Sequence, residues 1–196
     1  MQPGGRLAFF ADEAARAWLA AGRPDRAQAW FAVVERQAGG NSQATAAVQA
    51  LSPLLALADP ERFTWSDDAI ARWLDAALVR GSEQGARRAV LVFAMLDALD
   101  KPVPQRAWTL LRDAAQGRPE TAMPRTGTPG SGIQEAAAAK RRGETIVQIL
   151  SAAGSAEGGQ APSPAVLHAA IRGLRQIGLE REARALAAEA AVAAGI

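Results

Sequence analysis

The chain has 196 residues, enough for one domain with a sizeable core or for a helical domain with an appended hairpin. Its 49% apolar content is rich in alanine and aromatics are only 5%; the absence of cysteine excludes a disulfide framework, a thiolate nucleophile and a cysteine zinc site. The net charge is +2, and the pI of 9.9 reflects arginine's high pKa, Lys101 and Lys140 being the only lysines, so the balance is a weak pointer to polyanions.

The first stretch carries one basic residue, Arg6, and meets Asp12 and Glu13 before any long apolar core, so it does not read as a secretory signal. No charge-free apolar run of about 18 residues occurs, and the expected location is cytoplasmic. The first helix places Leu7, Ala11, Ala14, Trp18 and Ala21 on one face, and Gly22 supplies the turn. Its partner carries Ala27, Phe31, Val34 and Ala38 and ends at Gly39-Gly40. A third helix sets out Ala44, Val48, Leu51, Leu55 and Ala58, with a kink or a fresh start expected at Pro53 and an end at Asp59-Pro60.

Thr64 is the expected N-cap of a fourth helix bearing Ile70, Trp73, Leu74, Ala77 and Leu78, closed by Gly81. The fifth is apolar all round from Ala89 to Leu96, which predicts the centre of the fold. After Pro102 and Pro104, a sixth helix carries Val103, Ala107, Leu110, Leu111 and Ala114. Residues 117–132, GRPETAMPRTGTPGSG, lack apolar periodicity and read as a linker or long loop. A seventh helix, EAAAAKRRGETIVQILSAA, turns Ile146, Ile149 and Leu150 inward, and Gly154 to Gln160 is a second break. Ser163-Pro164 opens a final hairpin, with Leu167, Ala170, Ile171, Leu174 and Ile177 before Gly178, and Ala183, Leu186, Ala187 and Ala190 after it. The expected fold is all-α, an irregular antiparallel helical-hairpin solenoid or bundle of about nine helices. Residues 1–116 form the main domain, 117–132 the linker, and 133–196 the C-terminal helices, open to packing on the first part.

The hairpin at Gly22, through Ala11, Ala14, Ala15, Trp18, Ala27, Phe31 and Val34, resembles a tetratricopeptide repeat. The hairpin at Gly178 is similar through Leu167, Ala170, Ile171, Leu174, Ala183, Ala187 and Ala190. A weaker third match runs through Ile70, Trp73, Leu74, Ala77, Gly81, Ala86, Val90 and Phe93. The matches do not tile at the family's spacing of about 34 residues. The resemblance implies a stacked array whose first helices line a concave groove for a peptide or partner helix. Glu13 and Arg16, Arg72 and Asp75, and Ala169 and Arg172 fall on groove positions, where arginines would suit an acidic segment or a C-terminal carboxylate. The family's Asn and Lys carboxylate clamp is absent.

Catalytic signals are sparse. His168 is the only histidine and has no Ser/Asp arrangement around it in sequence. Asp67-Asp68, between Trp65 and Trp73, are acid groups beside an aromatic platform, as in a glycoside hydrolase, or ordinary first-turn carboxylates. Neither a phosphate-cradling loop nor metal-ligand spacing is present. Lys140, Arg141 and Arg142, with Arg87-Arg88, Arg172 and Arg175, make either a salt-bridged face or an anion-binding one, and Glu135 and Glu144 favour the former. Trp30 points off the main packing face, and with Trp108 it is a candidate partner anchor. The expected function is a non-catalytic protein interaction scaffold, without cofactor or metal, binding a protein or peptide partner or itself as a homodimer. The alternatives are a nucleic-acid-associated helical protein and an all-α hydrolase.

Overall fold

The computed structural model describes residues 10–80, 82–114, 130–154 and 162–196. Leu7, Gly81, most of the 117–132 linker and the break at 155–160 lie outside the described residues. Among the described residues the fold is all-α: ten helices and no strand. They are α1 (Ala11–Ala20), α2 (Pro24–Ala38), α3 (Ser42–Ala58), α4 (Asp67–Arg80), α5 (Ser82–Ala98), α6 (Gln105–Ala114), α7 (Ser131–Ala138), α8 (Arg142–Gly154), α9 (Pro164–Gln176) and α10 (Glu180–Ala193).

Both turn glycines do what the hairpin reading requires. Gly22 takes φ 66° and Gly178 φ 82°, a region closed to most side chains. At the first, Gly22 N donates to Leu19 O and Arg23 N to Trp18 O; at the second, Gly178 N donates to Arg175 O and Leu179 N to Leu174 O. These paired bonds satisfy carbonyls that a helix end leaves free. Lys140 makes the same closure without glycine, at φ 58°, with Lys140 N on Ala137 O and Arg141 N on Ala136 O. That left-handed lysine divides the expected seventh helix into α7 and α8, which is why the helices number ten and not nine.

Two other local expectations change. Pro53 does not start a fresh helix: it lies inside α3, which runs from Ser42 to Ala58 after its N-cap, Asn41, accepts from Gln43 N and Ala44 N at 2.9 and 3.2 Å. The cap of α4 is Ser66 rather than Thr64, since Ser66 Oγ accepts from Ala69 N at 3.3 Å.

The core sits on α5, as its all-round apolarity predicts: Val92, Phe93 and Met95 are fully buried, and α5 packs on α4, α6 and α9 and touches α3 and α10. A ladder of aromatic rings runs through it, Trp65 to Trp73 at 5.3 Å, Trp73 to Phe93 at 6.2 Å and Phe93 to Trp108 at 5.1 Å. The α9/α10 hairpin folds back onto the first part, α9 against α5 and α10 against α3, while α1 touches α10. One apolar cluster therefore runs from Ala11 through Leu55 and Phe93 to Ile171 and Ala187. α7 and α8 pack on each other and on α9 at the edge of this block, where Ala137 joins the cluster and Ile149 packs against it.

Candidate functional site

The seam of α7, α8 and α9 is narrow because small residues line it. A methyl group on Gly173 of α9 would stand 2.8 Å from Ile133 Cγ2 and 3.5 Å from Thr145 Cγ2, so α9 meets its neighbours backbone-close. Thr145 is the one buried side chain of α8, and its hydroxyl donates to Arg141 O at 2.9 Å, so no polar group is stranded. The inward orientation expected of Ile146 and Leu150 does not hold. With Thr145 facing the seam, the helical period turns Val147 and Leu150 outward, 63% and 66% exposed, with Ile146 on their flank. From Thr145 to Gly154 the helix carries no charge, and Ile146, Val147 and Leu150 offer solvent an apolar patch about 6 Å long on α8.

The basic cluster is occupied structurally. Lys140 Nζ donates to Gln176 O, and Arg142 Nε donates to Ile177 O at 3.0 Å, so two cations close the C-terminal end of α9, where the helix dipole favours positive charge. Arg141 pairs with Glu144 at 2.9 Å and Arg87 with Glu83. Arg88 donates to Ala194 O at 3.2 Å, tying α5 to the end of α10. Arg175, one-fifth exposed, bridges Asp100 at 2.7 Å and Glu180 at 3.1 Å and also donates to Ala98 O. Burial opposes its charge, yet the two carboxylates outweigh that and leave its pKa raised.

The expected groove residues lie on α1, α4 and α9. Arg16 lies between Asp12, at 3.2 Å, and the Ile196 backbone oxygen, at 3.4 Å. Arg72 and Asp75 stand exposed on α4, Arg172 stands exposed on α9, and Glu13 is exposed on α1. No hydrogen bond or ion pair links any of them to another among the described residues. Trp30 is corrected: it is 1% exposed and offers no surface to a partner. α2 is covered by α1 on one side and α3 on the other, so its buried arc spans Ala27, Trp30, Phe31, Val33 and Val34. Trp108 is half-buried, edge-on to Phe93.

His168 Nε2 lies 2.8 Å from Asp97 Oδ2, a contact joining α9 to α5. Asp67 and Asp68 are both exposed in the first turn of α4, and the ring of Trp73 is buried between Trp65 and Phe93, so it forms no platform beside them. Among the described residues, no group of His, Asp and Glu is arranged to hold a metal ion, and no helix is long and apolar enough to cross a membrane. No protein-family model, curated protein or solved structure matches the chain.

Proposed function

We propose that the chain is a non-catalytic, cytoplasmic interaction module of tetratricopeptide-like type, and that its contact surface is the apolar face of α8. The observation that carries this reading is the exposure of Val147 and Leu150 on an uncharged helix face packed from behind on α7 and α9. A ridge of this kind suits the apolar face of a partner helix, which supplies knobs at helical spacing and removes the ridge from water. The strip is small beside the roughly 800 Å² per partner of a standard stable interface, which favours a modest, reversible contact over a permanent homodimer.

The test is a pull-down from source-cell lysate with wild type beside a Val147→Glu/Leu150→Glu variant, with nuclease in parallel, and light scattering of both proteins alone. A protein held by wild type, resistant to nuclease and lost from the variant supports the reading. The same set captured by both, with both monomeric, removes α8 as the surface. Capture that disappears with nuclease turns the reading towards nucleic acid.

A further inference from the structure

Asp59 is a largely buried acidic residue at the end of α3. It closes α3, where the negative end of the helix dipole disfavours a carboxylate. It is only 8% exposed, and its side chain makes no hydrogen bond and no ion pair. Trp65 Nε1 is the one wholly buried side-chain polar atom without a partner among the described residues, so the oxygens of Asp59 keep an opening to solvent.

The carboxylate lines a cleft of about 470 Å³ between the α1–α2 turn, the end of α3 and α10. That size lies within the roughly 300–1,000 Å³ of small-molecule sites. Leu19, Ala58 and Ala188 supply apolar wall, while Arg62, Arg181 and Arg184 bring three guanidinium groups to the same cleft. Among the described residues the guanidinium groups of Arg62 and Arg181 have no hydrogen-bonding or ionic partner, and that of Arg184 donates to Glu180 O of its own helix, at 3.3 Å. Of the other acids, Glu61 reaches away to Lys101 at 3.5 Å and Glu189 is exposed on α10. One largely buried acidic side chain and several arginines thus border a single cleft.

We infer that this cleft binds a small zwitterion, an amino acid or short peptide bearing a cationic amine or guanidinium for Asp59 and a carboxylate for the arginines. A guanidinium takes a carboxylate through paired donors, and Asp59 accepts from an ammonium or guanidinium, so each end of such a ligand meets its opposite charge. A simple anion leaves Asp59 unsatisfied, and a simple cation leaves the arginines so.

The test is titration calorimetry on the full chain with L-arginine and lysyl-glycine, beside L-arginine methyl ester, which lacks the carboxylate, and propionate, which lacks the cation. Millimolar or tighter binding of a zwitterion is expected, with the ester at least about tenfold weaker and propionate silent, because each comparator forfeits a charge-assisted contact. Asp59→Asn is expected to bind the zwitterion at least about tenfold more weakly, yet to melt no lower than wild type without ligand, since no group of the chain is bonded to the Asp59 carboxylate among the described residues. Arg181→Gln, at an exposed position, is expected to weaken binding with its own melting unchanged. No binding of either zwitterion, or equal binding by Asp59→Asn, overturns the proposal. So does a lower melting temperature for Asp59→Asn, which would mean that the chain's own arginines hold Asp59.

Discussion

Replacing Gly85 by alanine places a methyl group where α5 lies against the backbone of α4. The added Cβ would stand 2.0 Å from the carbonyl oxygen of Ala77 and 2.7 Å from its carbon. Real Cβ contacts essentially never fall below 3.0 Å, so the two helices must part by at least 1.0 Å, and a backbone carbonyl has no rotamer by which to step aside. Overpacking of this kind costs about 1–3 kcal/mol, and a gap of that size forfeits up to half of each dispersion contact along the seam. Against it stands alanine's helix propensity, worth up to about 1 kcal/mol over glycine. The net expectation is a loss of about 1–2 kcal/mol, which for a chain of this size lowers Tm by roughly 2–8 °C. Gly143→Ala is the control, because nothing lies within 4 Å of its added methyl, and it should raise stability by up to about 1 kcal/mol. Thermal and urea unfolding followed by far-ultraviolet circular dichroism reads both. A Gly85→Ala protein as stable as wild type would refute the close α4–α5 approach.

Trp30→Ala is expected to cost about 3–5 kcal/mol, since it empties a site 1% exposed between α1 and α3; urea midpoints measure it, and a loss under about 1 kcal/mol would return Trp30 to the surface. Asn41→Ala removes the acceptor for two backbone N–H groups and should lower stability by about 1 kcal/mol, with Asn41→Ser restoring most of it in the same unfolding assay. Leu150→Glu should change stability by no more than about 0.5 kcal/mol while weakening capture of a helical partner; a large drop in Tm would show that Leu150 is packed.

The helices, their order and the central place of α5 were legible because each follows from a pattern held within one segment: an apolar period, an all-round apolar run, a glycine that can take positive φ. What escaped depends on partners distant in sequence. Trp30 looked off-axis against a single neighbour, but α2 has two, and a second covering helix widens the buried arc of the period. The break at Lys140 was hidden because alanines before it and Thr145-Ile146 after it continue the same period across the turn, with no glycine at the left-handed residue. Ile146 and Leu150 then followed the wrong register, since the seam selects Thr145 instead. Asp59 read only as a helix stop. Its burial and its cleft come from α10, more than a hundred positions along the chain, which no local pattern announces.

The return of α9 and α10 onto α5 and α3 bears on how the chain folds. In a linear repeat array each hairpin meets only its neighbours, so structure can start anywhere and spread, and units can be trimmed from one end with proportionate loss. Here the apolar sides of α3 and α5 stay uncovered until residues beyond 164 have been made and have docked, so closure depends on contacts of long sequence separation. During synthesis the earlier helices have to wait with greasy surface open to association, the state that draws chaperones. Once closed, the same arrangement couples both halves, so deleting α9 and α10 should collapse the whole block in one cooperative step rather than shorten it.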